Sequence, residues 1–234
     1  MTSQDRPIEL HYWPTPNGWK VTIMLEELGA PYELKFVNIG TGEQFAPEFL
    51  AISPNNRMPA IVDPEGPGGE SISVFESGAI LLYLGRKFGR FYPVDDERRR
   101  VEVEEWLMWQ MAGFGPMLGQ NHHFRSYAPE KLSYAITRYE NEAHRLYGIL
   151  DKRLAGRDFV AGDYSIADMS IVGWATLHER QGIDLAEFPH AKRWLEAMLA
   201  RPAVARGLKA GEEQRMNLSE DTAAQQVLFN QRAR

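Results

Sequence analysis

The sequence of 234 residues contains no cysteine. This absence excludes disulfide bridges, thiolate metal sites, a cysteine nucleophile and a CxxC redox pair. The thiolate is the attacking species in disulfide exchange. If the protein takes part in such chemistry, another molecule must therefore supply the sulfur.

The sequence also has little that would direct it to a membrane or to nucleic acid. Its longest apolar run falls far short of the ~20 residues that span a bilayer, and no hydrophobic signal core follows Met1. The 32 acidic residues outnumber the 26 basic ones, for a net charge of −6. These features predict a soluble, cytoplasmic protein whose partners are neither membranes nor nucleic acids.

Strand and helix patterns alternate at the beginning of the chain. Residues 8–13 alternate apolar and polar side chains before ending on two aromatic ones, which predicts a strand. Residues 19–28 place their apolar side chains on one helical face, and Gly29 suits the left-handed conformation that ends a helix. A second strand pattern covers 32–39. This β-α-β order predicts that the two strands are parallel.

Two more strands and a helix complete the first domain. Residues 59–63 and 71–75 have strand patterns, and the glycine- and proline-rich turn between them predicts an antiparallel hairpin. An apolar helix pattern follows over 79–84 and ends near Gly89. The order β-α-β then β-β-α is that of an α/β thioredoxin-like domain, with a mixed four-stranded sheet and helices on its faces.

Beyond this domain the strand patterns stop and helix patterns replace them, so the second domain is predicted to be all-α. The helix patterns cover about 95–120, 129–155, 165–181 and 189–209. We predict a thioredoxin-like domain at 1–89, a linker at 90–94, a helical domain at 95–209 and a polar, mobile C-terminal tail at 210–234 with a short helix near Asp221 to Phe229.

Two local features are predicted inside the helical domain. Pro116 should bend or end the first helix, because proline lacks the N–H group that a helix needs. Ser165 and Asp168 have the spacing of a capping box, in which each side chain accepts a hydrogen bond from the other residue's backbone N–H.

The residues of the first domain favour an extended peptide ligand with carboxylates. A cis bond between Met58 and Pro59 would leave the backbone of Met58 free to pair with such a peptide. Ser77 begins a helix, where the hydroxyl and N–H groups favour a carboxylate. Glu76 can hold an ammonium group beside it, and Arg57 can hold a second carboxylate.

These segments resemble the glutathione transferase superfamily over roughly residues 8–210. The resemblance is carried by Asn56-Arg57-Met58-Pro59-Ala60-Ile61, by Phe75-Glu76-Ser77-Gly78-Ala79-Ile80 and by the predicted capping box. Within the superfamily the sequence looks most like the bacterial nu class and the related yeast nitrogen-regulator-like proteins. That likeness rests on the segments at 14–18, 52–56 and 115–124.

The resemblance implies a glutathione site built from the first domain. Glu76 and Ser77 would hold the γ-glutamyl end, and Met58, before Pro59, would pair with the cysteinyl backbone. Arg57 would hold the glycyl end with help from Gln44. The family members are homodimers, which implies that Arg138 reaches a glutathione in the partner subunit and that His123 lines the cleft.

The resemblance also implies a particular reaction. At the turn where many transferases place Tyr, Ser or Cys, this sequence has Thr15 and Asn17. Nu-class relatives reduce disulfides with glutathione and often bind two glutathiones or the oxidised form. Thr15, Asn17 and the nearby backbone N–H groups can all donate to the glutathione sulfur, and a helix N-terminus lowers a thiol pKa.

Several alternatives remain open from the residues alone. Thr15 and Asn17 could serve only as a helix cap, and so could Glu76 and Ser77, while Pro59 could be a trans proline at the start of a strand. The enzyme could instead conjugate glutathione to electrophiles or reduce peroxides, or the protein could be a non-enzymatic binding module. A metal site at His122 and His123 is disfavoured, because adjacent helical residues do not face one point.

Overall fold

The computed structural model describes residues 5–218 and 220–232. The chain divides into two compact units. The first contains the residues up to Phe88 together with those from Arg206 onward, and the second contains Gly89–Ala205. No helix among the described residues has the length and apolar character that crossing a membrane requires.

The first unit is built on a mixed four-stranded sheet. Its strands are β1 (Ile8–Tyr12), β2 (Tyr32–Phe36), β3 (Ala60–Asp63) and β4 (Ile72–Phe75), in the order β2-β1-β3-β4. β1 is parallel to β2, whereas β3 is antiparallel to both β1 and β4. This topology confirms the predicted thioredoxin-like arrangement.

Ten α-helices accompany the sheet among the residues that the structure describes. They are α1 (Pro16–Leu28), α2 (Pro47–Leu50), α3 (Ser77–Phe88), α4 (Glu97–Trp109), α5 (Gly115–His122), α6 (Ser133–Leu154), α7 (Ile166–Ala175), α8 (Pro189–Leu199), α9 (Pro202–Lys209) and α10 (Thr222–Phe229). The second unit, Gly89–Ala205, contains helices and no strand among its residues, as predicted for an all-α domain.

Helix α1 begins three residues earlier than the periodicity predicts. Proline is tolerated in the first helical turn, so Pro16 lies inside the helix and Thr15 caps it. At the other end Gly29 has φ 66°, the left-handed conformation predicted for it. The apolar face of α1 packs into the core, where Val21 and Leu25 are fully buried.

The C-terminal segment contains the short helix predicted near 221–229, which is α10, and it contacts the rest of the first unit. The hydroxyl of Tyr12 donates a hydrogen bond to the carbonyl of Ala210 at 3.0 Å, and Ala224 on α10 is buried. Gly40 lies so close to Met216 that an added Cβ would approach its Cε to 2.3 Å. Apolar side chains within this polar segment therefore join it to the first unit.

The second unit contains a long helical path interrupted by two π-helical turns. α4 continues through a π-helical turn at Gln110–Phe114 into α5, and α5 continues through another at His123–Tyr127. Pro116 lies in the first turn of α5. The helix is therefore irregular just before this proline, and it does not end there.

The predicted capping box forms at the start of α7. Asp168 is fully buried and accepts hydrogen bonds from the backbone N–H of Ser165 at 3.2 Å and of Val160 at 3.1 Å. It also accepts one from Trp194 Nε1 at 3.0 Å. Burial raises the pKa of this carboxyl to about 6, although the hydrogen bonds oppose that shift.

Candidate functional site

Thr15 caps α1 through its side chain. Its Oγ1 accepts a hydrogen bond from the backbone N–H of Gly18 at 3.3 Å. Thr15 therefore does cap the helix. The cap uses only a lone pair of the hydroxyl oxygen, so the hydroxyl hydrogen can still donate a hydrogen bond. Gly18 must be glycine here, because an added Cβ would lie 2.5 Å from the carbonyl oxygen of Trp13. Asn17 is exposed in the first turn of the same helix.

Glu76 and Ser77 form the N-terminus of α3. Glu76 has φ 68°, a left-handed conformation that non-glycine residues rarely adopt and that often occurs at ligand sites. Its carbonyl accepts the first bond of the helix, from Ile80 N–H at 2.9 Å. The carboxylate is exposed and accepts a hydrogen bond from Asn55 Nδ2 at 3.2 Å. Ser77 is buried directly beside it.

The peptide bond between Met58 and Pro59 is cis, as predicted. These residues lie immediately before β3, and Ala60 of β3 pairs with Phe75 of β4. Because the two strands are antiparallel, Pro59 and Glu76 extend from the same end of the hairpin. Strand pairing therefore brings two separate sequence motifs, at 58–59 and 76–77, to one edge of the sheet.

The two residues predicted for the glycyl end differ in exposure. Arg57 is exposed, and its carbonyl accepts a hydrogen bond from the hydroxyl of Ser53 at 2.7 Å, which orders the loop. Gln44 is only 1% exposed, and its amide nitrogen donates to the carbonyl of Ile39 at 3.3 Å. Its side-chain oxygen has no hydrogen-bond partner among the described residues.

Lys20 lies beside Ser77, and the sequence reasoning did not include it among the candidate site residues. It is 1% exposed on α1, and its Nζ lies 3.4 Å from the hydroxyl oxygen of Ser77. Burial lowers the pKa of this amine to about 7, while the charge of Glu76 partly opposes the shift. The available signal was a lone lysine within an otherwise uncharged stretch, 18–25, every residue of which is buried.

The other two predicted residues belong to the second unit. His123 begins the second π-helical turn and is partly buried, and its ring meets Phe124 edge to face at 5.2 Å. Burial lowers the pKa of this imidazole. Arg138 is exposed on α6, one turn before Glu142. Turns of the π type occur often at functional sites.

The adjacent histidines do not point to one centre. His122 stacks on Tyr127 with ring centroids 4.9 Å apart, whereas His123 contacts Phe124. Among the residues that the structure describes, no group of three or more potential metal ligands comes together.

The chain matches known families along both units. The model of the glutathione S-transferase N-terminal domain matches residues 7–86, and that of the C-terminal domain matches residues 112–202. The disulfide-bond oxidoreductase YfcG of Escherichia coli is 51% identical over 203 residues, which cover 86% of this chain and 94% of that protein. The chain therefore belongs to the glutathione S-transferase family, and it is similar to the bacterial disulfide oxidoreductases within it.

Solved structures show the same likeness. A glutathione transferase from Burkholderia graminis with two glutathione molecules bound per subunit has a TM-score of 0.83 and 44% identity, covering 88% of this chain and 89% of its own. One from Pseudomonas putida with one glutathione disulfide bound per subunit has a TM-score of 0.84 and 43% identity, covering 90% and 94%. The resemblance, the fold class and the enzyme class predicted from the sequence are thus confirmed.

Proposed function

We propose that this protein reduces small disulfides with glutathione, using bound glutathione as the only sulfur nucleophile. The proposal depends on the chemistry at the start of α1, because the chain contains no cysteine that could act as the sulfur nucleophile. There a threonine hydroxyl retains a hydrogen to donate while its oxygen caps the helix. The names and bound ligands of the similar proteins support the same conclusion.

In this proposal the first unit holds the tripeptide along one edge of the sheet. The γ-glutamyl carboxylate docks at Ser77, where the N-terminus of α3 favours an anion, and the γ-glutamyl ammonium docks at Glu76. The backbone of Met58 pairs with the cysteinyl residue, with Pro59 fixing the chain behind it. The register of β3 with β4 supports this placement.

The glycyl carboxylate binds at Arg57 and Gln44. Arg57 is exposed and carries a permanent charge, so it can reach a carboxylate without a large desolvation cost. Gln44 is 1% exposed, and one N–H of its amide already donates to Ile39, so it offers less to a carboxylate than Arg57 does. Arg57 is therefore assigned the larger part of the glycyl contact.

The sulfur is held by the start of α1. The Thr15 hydroxyl, the Asn17 amide and the helix N-terminus donate to the glutathione thiolate and stabilise it. The thiolate attacks one sulfur of the substrate disulfide, forms a mixed disulfide with glutathione and releases one thiolate of the substrate. A second glutathione attacks the mixed disulfide, which yields oxidised glutathione and the second substrate thiol.

The proposal extends to a homodimer in which Arg138 contacts glutathione in the partner subunit and His123 lines the cleft. The exposed apolar side chains of Val101 and Met108 on α4, seven residues apart, support an association surface. Arg138 is exposed and can therefore reach another molecule.

The test is a comparison of turnover on three substrates with glutathione. We expect the rate on 2-hydroxyethyl disulfide to exceed the rates on 1-chloro-2,4-dinitrobenzene and on cumene hydroperoxide. Ser77→Ala should raise the KM for glutathione on every substrate. A faster rate on the chloro-compound or the peroxide would favour the conjugation or peroxidase alternative. Glutathione binding without turnover on any of them would favour a non-enzymatic module.

A further inference from the structure

We propose that Lys20 is a positioning residue of the glutathione site, and that its buried amine binds a proton when the γ-glutamyl carboxylate docks at Ser77. The inference rests on the proposed function, because it assigns a role behind the same site. It is based on the position of this fully buried lysine beside the hydroxyl group of Ser77, the first residue of α3.

Lys20 is buried within α1. The residues beside it on α1, Trp19 and Val21, are buried, so the amine lies in the interior and not at the surface. A buried amine is costly unless it is paired, and methionine would fill the same space without that cost. Its Nζ lies 3.4 Å from Ser77 Oγ, which directs it to the predicted carboxylate site.

The charge of Glu76 acts on the Lys20 amine. Glu76 precedes α3, the helix that packs against α1, and its carboxylate favours the protonated form. Arg206 on α9 is paired with Glu26 of α1, and the Arg215 guanidinium lies 5.2 Å from the centre of the Trp19 ring. Because burial opposes the attraction of Glu76, the pKa of Lys20 falls to about 7 and the amine is balanced between its two forms.

A bound carboxylate would change that balance. A carboxylate that accepts a hydrogen bond from Ser77 at ~2.7 Å lies within about 6 Å of Lys20 Nζ. An opposite charge at ~4–6 Å raises the pKa of an amine by about one to three units. The amine therefore takes a proton from the solvent as the ligand binds, and the new ammonium holds the carboxylate through Ser77.

The inference is tested by calorimetric titration with S-methylglutathione at pH 8, in buffers that differ in ionisation enthalpy. The methyl group prevents the thiol from releasing a proton of its own. We expect the wild-type protein to take up about 0.4 to 0.8 of a proton per ligand bound, for a pKa rise of one to two units. Lys20→Met should show no uptake and about tenfold weaker binding at pH 7.

Thr22→Val is the matched control, because Thr22 is equally buried on α1 and its hydroxyl donates to the carbonyl of Gly207, away from Ser77. It should take up as many protons as the wild type. Wild-type binding without proton uptake, or equal uptake by Lys20→Met, would overturn the role of Lys20 while leaving the glutathione site in place. No binding by the wild-type protein would overturn the proposed function itself.

Discussion

Replacing Thr15 can separate the two roles of its hydroxyl at the start of α1. The oxygen caps the helix by accepting from Gly18 N–H at 3.3 Å, and the hydrogen is proposed to donate to the glutathione sulfur. Serine retains both functions. Aspartate retains the cap, because a carboxylate accepts the same bond, but it cannot donate when ionised. Alanine removes both.

The expected magnitudes follow from these losses. Thr15→Ala should lower the free energy of unfolding by about 1 kcal/mol, the usual cost of losing a cap, whereas Thr15→Ser and Thr15→Asp should unfold close to the wild type. Both Thr15→Ala and Thr15→Asp should lower kcat on 2-hydroxyethyl disulfide about 100-fold, the effect of a pre-organised donor worth ~3 kcal/mol. Thr15→Ser should remain active.

Two assays on the same four proteins test this. Urea unfolding gives stability, and steady-state kinetics at varied glutathione gives kcat and KM separately. The KM for glutathione should change less than kcat, because Ser77 and Glu76 hold the other end of the tripeptide. Wild-type turnover by Thr15→Asp, or a loss of activity that merely follows the loss of stability across the series, would refute the role of Thr15 as a donor.

Three other predictions follow from the structure. Asp168→Ala should lower the free energy of unfolding by about 3 kcal/mol with unchanged glutathione affinity, because it leaves buried donors unpaired; unchanged urea unfolding would contradict this. Arg138→Ala should weaken the binding of oxidised glutathione by about 1.5–3 kcal/mol in calorimetry, whereas Lys152→Ala on the same helix should not. An Arg138→Ala protein that binds oxidised glutathione as tightly as the wild type would place Arg138 outside the site. Relative to Lys20→Met, the wild-type protein should gain stability as pH rises from 7 to about 10, by up to about 1.4 kcal/mol per pH unit. In that range the unfolded chain holds the lysine proton and the folded chain does not, so a pH-independent difference would refute the lowered pKa.

The fold of the first unit was accessible from the sequence because its signals are local. Glycine and proline punctuation separates the strands, and the alternation along β1 is seen again in its alternating burial. In the second unit, the spacing of Ser165 and Asp168 alone predicts their capping box. In each case the residues that decide the structure are neighbours along the chain.

The features that the sequence did not reveal depend on distant contacts. Residues 210–234 are polar in composition, so the sequence does not indicate that Ala224 and Met216 pack against Gly40. That contact is between residues far apart along the chain. The uncharged stretch around Lys20 indicates a buried position, but its proximity to Ser77 depends on the packing of α3 against α1. Likewise the burial of Gln44 arises from how its loop packs, which no local pattern encodes.

The central claim is that bound glutathione is the only sulfur nucleophile. The most direct measurement treats the protein with iodoacetamide, removes the excess reagent and follows one turnover of 2-hydroxyethyl disulfide with glutathione by acid quench and mass spectrometry. We predict full activity, a glutathione mixed disulfide that appears and decays at the rate of turnover, and an unchanged protein mass. Loss of activity in a protein that remains folded, or a rate no faster than free glutathione alone, would contradict the account.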